Sequence, residues 1–129
     1  MIPCNELSTS ALAYLGDCVL ELCVRERLVE SGISRSGHLN SMALAYVKAS
    51  AQAEAMQRIL PMLDEEELAL YKRGRNTGGL NIPKSASPSQ YRTATGMEVL
   101  FGYLHYTGRR DRVRALFEAA YPDHPVTEE

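Results

Sequence analysis

The stretch ALAYLGDCVLELCV, residues 11–24, decides the fold of this 129-residue chain. Its large apolar residues recur every three or four positions, which predicts one face of a helix. The other positions are also mostly apolar, so we expect this helix to be buried on nearly every side. Its only carboxylates are Asp17 and Glu21. Because an unpaired buried carboxylate costs several kcal/mol, Asp17 requires a base, a set of N–H donors or a cation beside it.

The same kind of pattern extends along the chain and predicts an all-α protein of six to seven helices. With approximate bounds, the predicted helices cover residues 8–30, 37–47, 48–62, 65–73, 88–106 and 109–121. The third is predicted to pack through Ala51, Ala55, Ile59 and Met62. Ser87, Pro88 and Gln90 form a capping-box pattern at the start of the fifth. Residues 74–88, with three glycines and two prolines, are predicted to form a loop.

A second isolated acid lies on the predicted fifth helix, in YRTATGMEVLFGYLHY, residues 91–106. Glu98 is the only acid there, and Gly102 follows it by four residues, much as Gly16 precedes Asp17. A glycine inside a helix costs about 1 kcal/mol relative to alanine, and it is explained if another helix passes very close. We therefore expect the two helices to cross at their glycines, so that Asp17 and Glu98 converge.

Converging carboxylates repel each other unless a proton or a cation lies between them. Mg²⁺ is commonly held by one or two carboxylates together with water and substrate phosphates, so Asp17 and Glu98 are candidate catalytic and metal-binding residues. The alternative is that the two acids form buried salt bridges, for example with Arg92 or Lys84. Glu21 is expected either to be structural or to support the metal ligands from behind.

The composition limits the class of protein. The length suits one domain over residues 1–129, with a core at about 8–121 and an acidic tail at 122–129. No apolar run is long enough to cross a bilayer, and the first residues do not resemble a signal peptide. Three cysteines form no disulfide framework, so we expect a cytoplasmic protein without a membrane partner. Nucleotide-binding loop motifs are absent, so no nucleotide cofactor is expected.

Basic residues cluster around the predicted loop, although the net charge of the chain is −2. A local basic patch of this kind favours binding to a polyanion. Its members are Lys72, Arg73, Arg75, Lys84 and Arg92. The tyrosines at positions 14, 91, 103 and 106 are predicted to fill the core and its rim rather than to stack on bases.

Several segments together resemble a known family. YLGDCVLEL resembles the ribonuclease III signature, in which a Leu-Gly-Asp on a long helix supplies a metal-binding catalytic aspartate. MEVLFGYLH resembles the second acidic segment of that family. The stronger resemblance is to Mini-ribonuclease III, a short relative without a double-stranded-RNA-binding domain. Five segments appear in the order and spacing of that family's motifs: ALAYLGDCVLEL, SAQAEAM, KRGRN, PKSA and YRTATGMEVLFGYL. The resemblance covers roughly residues 8–121.

This resemblance implies an all-α endonuclease domain that works as a homodimer and hydrolyses double-stranded RNA with Mg²⁺. The short family matures the ends of large-subunit (23S) ribosomal RNA precursors, so this RNA is the expected partner. Asp17 takes the position of the signature aspartate, and Glu98 that of the glutamate in the second segment. The residues implied to contact RNA are Lys72, Arg73, Arg75, Asn76, Lys84 and Arg92.

The chain departs from full-length ribonuclease III at two positions. That family carries a glutamate four residues before the aspartate and an aspartate three before the late glutamate, where this chain has Ala13 and Thr95. The pattern resembles the short family, so cleavage is still expected, but a two-metal site held only by protein carboxylates is not. The alternatives are a non-catalytic RNA-binding or ribosome-assembly protein on the same fold, and a structural helical domain with salt-bridged acids.

Overall fold

The computed structural model describes residues 2–77 and 87–125. Over these residues the chain forms six α-helices, two single-turn 3-10 helices at Cys4–Glu6 and Leu60–Met62, and no strand. The α-helices are α1 Thr9–Glu30, α2 Ser36–Val47, α3 Ala49–Ile59, α4 Glu65–Thr77, α5 Pro88–Tyr106 and α6 Arg110–Ala120. The predicted all-α fold is confirmed. In the described ranges no helix combines the length and apolar character that a membrane crossing requires.

Side chains at the two predicted N-caps hold the ends of the two longest helices. The hydroxyl of Ser8 accepts a hydrogen bond from the N–H of Ala11 at 3.0 Å, and that of Ser87 accepts one from Gln90 at 3.1 Å. Each hydroxyl satisfies an N–H group that has no partner inside its helix. Gly32 (φ 87°) follows the end of α1 in the left-handed conformation that glycine adopts readily.

The fourth helix is longer than the sequence predicted. It continues to Thr77, so the first residues of the predicted 74–88 loop are helical. The physical reason lies in packing: Gly74 is buried, and a Cβ built there would lie 2.7 Å from a methyl carbon of Val99 on α5. Packing against α5 therefore allows α4 to continue beyond Gly74, a residue type that usually ends a helix. The remainder of the predicted loop, 78–86, lies outside the described residues.

The third helix is shorter and turned relative to its prediction. It ends at Ile59 and gives way to the 3-10 turn, which contains Pro61 and leaves Met62 42% exposed. The buried face of α3 consists of Gln52, Ala55, Met56 and Ile59. A polar residue thus belongs to the buried side of this helix, in place of the predicted Ala51.

Helix α5 forms the centre of the molecule, since α1, α3, α4 and α6 all pack against it. From Thr93 to Leu104 most of its residues are buried, and Met97, Leu100 and Phe101 have no exposed surface. Burying such side chains contributes roughly 1.5–3 kcal/mol each to folding. The candidate acid Glu98 therefore lies on the helix that has the most buried residues among those described.

Helix α1 is not buried on every side, contrary to the prediction from residues 11–24. Tyr14 is 84% exposed, Leu22 52% and Val29 62%, and Cys18 is exposed between them. Residues at these spacings share one face of a helix, so they form a single apolar stripe, called here the α1 stripe. The prediction that Tyr14 fills the core or its rim is wrong.

Candidate functional site

Backbone contact between α1 and α5 brings the two isolated acids together. A Cβ added to Gly16 would lie 1.6 Å from the carbonyl oxygen of Glu98, and one added to Gly102 would lie 2.1 Å from that of Leu12. Both distances are far below any real contact, so only glycine fits at either position. Asp17 follows Gly16 directly and is therefore held beside Glu98, which confirms the predicted glycine crossing.

Asp17 and Glu98 line one cavity of about 520 Å³. Asp17 is exposed, whereas Glu98 is half-buried on the floor of the cavity. The first turn of α3 and the first turns of α5 supply the other walls. Besides the two acids, the lining residues are Val47, Lys48, Ala49, Ser50, Gln52, Gln90, Tyr91 and Ala94. Tyr91 is half-buried and lines the cleft, a position that the sequence did not predict.

The two carboxyl groups are close enough that ionisation of one disfavours ionisation of the other. Three causes together raise the pKa of Glu98 to about 8: burial, which is the largest, then the negative charge of the neighbouring Asp17, and then a hydrogen bond between the two carboxyl groups. Near neutral pH, and without a cation, Glu98 is therefore protonated and shares its proton with the Asp17 carboxylate. A cation that binds both acids must displace that proton.

The salt-bridge alternative finds no support in the described residues. Over 2–77 and 87–125, neither Asp17 nor Glu98 forms an ion pair with a basic side chain. Arg92, one of the two bases named for that alternative, is exposed to solvent. Lys84, the other, lies outside the described residues. The acids face open space and each other.

The residues present fit a hard divalent cation. Mg²⁺ prefers carboxylate oxygens, takes few of them from protein and keeps water or phosphate as its remaining ligands. Asp17 and Glu98 supply such oxygens at the edge of an open cleft. In the part of the chain that the structure describes, no group of three or more potential ligands gathers at one point. Thr95 donates its hydroxyl hydrogen to the carbonyl oxygen of Tyr91 at 3.0 Å and does not line the cleft.

Glu21 does not line the cleft. Its carboxylate forms an ion pair with Arg25, one turn later on α1, at 2.8 Å. The structure therefore gives it a structural contact on the helix surface. Support of the metal ligands by Glu21 stays a prediction.

The predicted RNA-binding residues occupy different surroundings, and none of those described lines the cleft. Lys72, Asn76 and Arg92 are exposed. The guanidinium group of Arg75 lies over the ring of Tyr71, 5.6 Å from its centroid. Lys84 lies outside the described residues.

Arg73 has a structural task that the sequence did not reveal. Its guanidinium group donates to the hydroxyl of Thr9 at 2.7 Å and to the carbonyl oxygen of Leu7 at 2.9 Å. These bonds hold the start of α1 against α4. Because Arg73 is exposed, a contact with an RNA phosphate stays a prediction. The contacts that the structure shows for its guanidinium group are with Thr9 and Leu7.

The sequence analysis did not identify Lys48 or Gln52 as residues of the cleft. Lys48 was taken as the first residue of the third helix, whereas it forms the break between α2 and α3. Gln52 is 6% exposed although it is polar. The signal available in the sequence was its spacing, because Gln52 lies three, four and seven residues before the apolar Ala55, Met56 and Ile59.

Comparisons with known proteins agree with this architecture. Residues 10–109 match the model of the ribonuclease III domain. The Mini-ribonuclease 3 of Symbiobacterium thermophilum is 46% identical over 109 residues, which cover 84% of each chain. The chain belongs to the Mini-ribonuclease 3 family. A second member of the family, from Enterococcus faecalis, is 45% identical over 87% of this chain and 86% of its own.

A crystal structure supports the fold of this Mini-ribonuclease 3 family member independently. Protein FN1578 from Fusobacterium nucleatum superimposes with a TM-score of 0.79 at 27% identity, over 88% of this chain and 90% of that one. The family predicted from the motifs is confirmed, and with it the enzyme class, an endoribonuclease of the ribonuclease III type.

Proposed function

We propose that this endoribonuclease depends on Mg²⁺, cuts double-stranded RNA, and matures the ends of large-subunit ribosomal RNA precursors in the cytoplasm. The observation that carries the proposal is the pair of acids in the cleft. Asp17 and Glu98 come from helices in backbone contact, share a proton and meet no base among the described residues. Hydrolysis of the P–O3′ bond leaves a 5′-phosphate and a 3′-hydroxyl.

In this account Asp17 and Glu98 hold the cation by their carboxylate oxygens. When bound, Mg²⁺ supplies positive charge that lowers the pKa of an attacking water and stabilises the negative charge developing on the phosphate. The exposed Asp17 would lie nearer the substrate. The half-buried Glu98 would hold the cation from the inner side of the cleft. Because α1 and α5 touch at Gly16, the two carboxylates are positioned before RNA arrives, which avoids an ordering cost during the reaction.

Basic and polar side chains outside the cleft are proposed to bind the RNA duplex. Lys72, Arg75 and Arg92, with Lys84 and Asn76, would bind backbone phosphates, which positions RNA without reading its sequence. A-form RNA is recognised mainly through its shape and its 2′-hydroxyls. The choice of cleavage site would therefore follow helix geometry rather than base identity.

A second copy of the chain is proposed as the occupant of the α1 stripe. The stripe runs along the same helix as Asp17 and leaves Tyr14, Leu22 and Val29 more than half exposed. A two-fold dimer presents the same patch on both subunits, so one self-complementary stripe suffices. Two subunits related in this way also present two sets of acids, one for each strand of the duplex.

Cleavage with and without Mg²⁺ tests the function. The protein is incubated with a duplex that carries the ends of a large-subunit ribosomal RNA precursor, and with an unrelated duplex of equal length. We expect cuts only with Mg²⁺, with 5′-phosphate ends that map to the mature terminus of the precursor. Equal cutting without any divalent cation would refute metal dependence. Tight binding with no cutting in any metal would instead favour a non-catalytic RNA-binding protein.

A further inference from the structure

The start of α3 forms the cleft wall opposite the two acids and lacks a cap. Its N-cap residue, Lys48, is extended (φ −64°, ψ 149°) and provides no side-chain cap. The first intrahelical bond runs from the N–H of Gln52 to the carbonyl oxygen of Lys48 at 3.0 Å. Within 2–77 and 87–125, the N–H groups of Ala49, Ser50 and Ala51 have no acceptor. Three backbone donors and the positive end of the helix dipole thus remain available beside the cleft.

Gln52 provides an independent observation that points to a ligand. It is 94% buried, given its 6% exposure, and it lines the same cavity as Asp17 and Glu98. Its side chain has no hydrogen-bond partner in the described parts of the chain. In those same parts, the only polar atoms that are both fully enclosed and unpartnered belong to Arg27, so the Gln52 carboxamide reaches the open cavity.

The donors on this wall match an anion with several oxygens. Lys48 is exposed at the rim and carries a positive charge, and no acid lines the α3 side of the cavity. Helix N-termini bind phosphate groups because N–H donors and the dipole act together. Both acids of the cavity, Asp17 and Glu98, come from α1 and α5 and suit a cation. The cleft is therefore divided into a cation side and an anion side.

We propose that the N-terminus of α3, together with Lys48 and Gln52, is a subsite for a backbone phosphate of the RNA strand that is cut. The bound phosphate is a neighbour of the scissile one, held across the cleft from Asp17 and Glu98. Gln52 donates its amide hydrogens to this phosphate, and Lys48 neutralises its charge. The inference rests on the proposed function, because it assumes that RNA enters this cleft.

Two variants and one matched control test the subsite. Gln52→Met keeps the volume and removes the donor, Lys48→Met removes the charge, and Gln57→Met makes the same change on the exposed side of α3. Binding of a short RNA duplex is measured in EDTA over a range of salt concentrations, followed by single-turnover cleavage in Mg²⁺. Thermal melting establishes that each variant is folded.

Gln52→Met is expected to weaken duplex binding about tenfold, the effect of one hydrogen bond to a charged group, with an unchanged salt slope. Lys48→Met should weaken binding and reduce the slope of log K against log salt by about 0.7–0.9, one phosphate contact. Gln57→Met should bind and cleave as wild type. If Gln52→Met does not fold, the binding result for Lys48→Met tests the subsite, because Lys48 is exposed and its substitution should not affect folding.

The outcomes separate the subsite from the function. Wild-type affinity and cleavage in both variants overturn the subsite while the endonuclease assignment stands. If the wild type binds duplex but never cleaves, the proposed function fails, and weakened binding by the two variants still supports the subsite. Equal weakening by Gln57→Met would show a general effect of altering α3 and would overturn it.

Discussion

At the scale of single residues, Glu98 is a carboxylic acid that the fold keeps protonated. Its pKa of about 8 in the folded protein, against an ordinary value of 4.5, means that the native state retains a proton that the unfolded chain releases. Between these two pH values the native state binds more protons than the unfolded state. The metal-free protein is therefore expected to lose stability as pH rises from about 4.5 to about 8.

Glu98→Gln should abolish this loss, because the amide has no proton to release. We expect the variant to be more stable than wild type by on the order of 3 kcal/mol at pH 8, and equal to it near pH 4. Urea unfolding in EDTA across this pH range measures the difference. Glu30→Gln, at an exposed position, should follow the wild-type curve. Parallel curves for wild type and Glu98→Gln would contradict the shared proton.

The sequence identified Asp17 and Glu98 because each is an isolated acid on an apolar helix, a pattern with a high energetic cost unless it is functional. It did not identify Lys48 or Gln52. Their role follows from which face of α3 turns towards α5, and that orientation depends on side chains distant in sequence. Arg73 shows the converse case: its charge suggested RNA, while its partners are residues of the N-terminal segment.

At the scale of helices, the crossing of α1 and α5 controls the geometry of the acids. Gly16→Ala would place a methyl group 1.6 Å from the carbonyl oxygen of Glu98, so the helices must separate. We expect a loss of more than about 3 kcal/mol in stability and loss of cleavage. Gly37→Ala on α2 is the matched control, since nothing lies within 4 Å of its Cβ.

The control is expected to be neutral or to gain up to about 1 kcal/mol, because alanine restricts the unfolded chain. Chemical denaturation and a cleavage assay on both variants make the comparison. A Gly16→Ala protein with wild-type stability and activity would show that the helices do not meet as described.

Two neighbouring bases on α4 should behave differently. Lys72 is exposed and forms no ion pair within the described residues, so Lys72→Ala is expected to lower duplex affinity and reduce the salt slope without changing stability. Arg73→Ala removes hydrogen bonds to Thr9 and Leu7, so it should lower the melting temperature as well. Fluorescence anisotropy against salt and thermal melting separate the two effects. Identical melting temperatures for Arg73→Ala and wild type would show that the hydrogen bonds of Arg73 to Thr9 and Leu7 do not stabilise the fold.

Helix periodicity predicted the number and order of the helices, and serine caps fixed two starting points. Two boundaries were wrong for reasons beyond local sequence. Gly74 normally ends a helix, yet here its missing side chain allows contact with α5 and the helix continues. Met62 follows the apolar period of α3, but Pro61 ends that helix in a 3-10 turn.

At the scale of the whole molecule, the exposed α1 stripe predicts association of two copies. Leu22→Asp places a charge in the middle of the stripe and is expected to give monomers at micromolar concentration, where we expect wild type to be a dimer. Leu44→Asp is the matched control, because Leu44 is 67% exposed but belongs to a different helix, α2. Sedimentation measures the mass of each. A monomeric wild type with full activity, or a dimeric Leu22→Asp, would contradict the proposed interface.

The central claim is that Asp17 and Glu98 together form the metal-dependent catalytic site. Its most direct test is single-turnover cleavage of an RNA duplex in Mg²⁺ by Asp17→Asn and Glu98→Gln, with Asp111→Asn at an exposed position of α6 as control. We predict that both cleft variants fold, bind duplex and cleave at least about a thousandfold more slowly, while the control cleaves as wild type. Cleavage by either cleft variant at the wild-type rate would contradict the account.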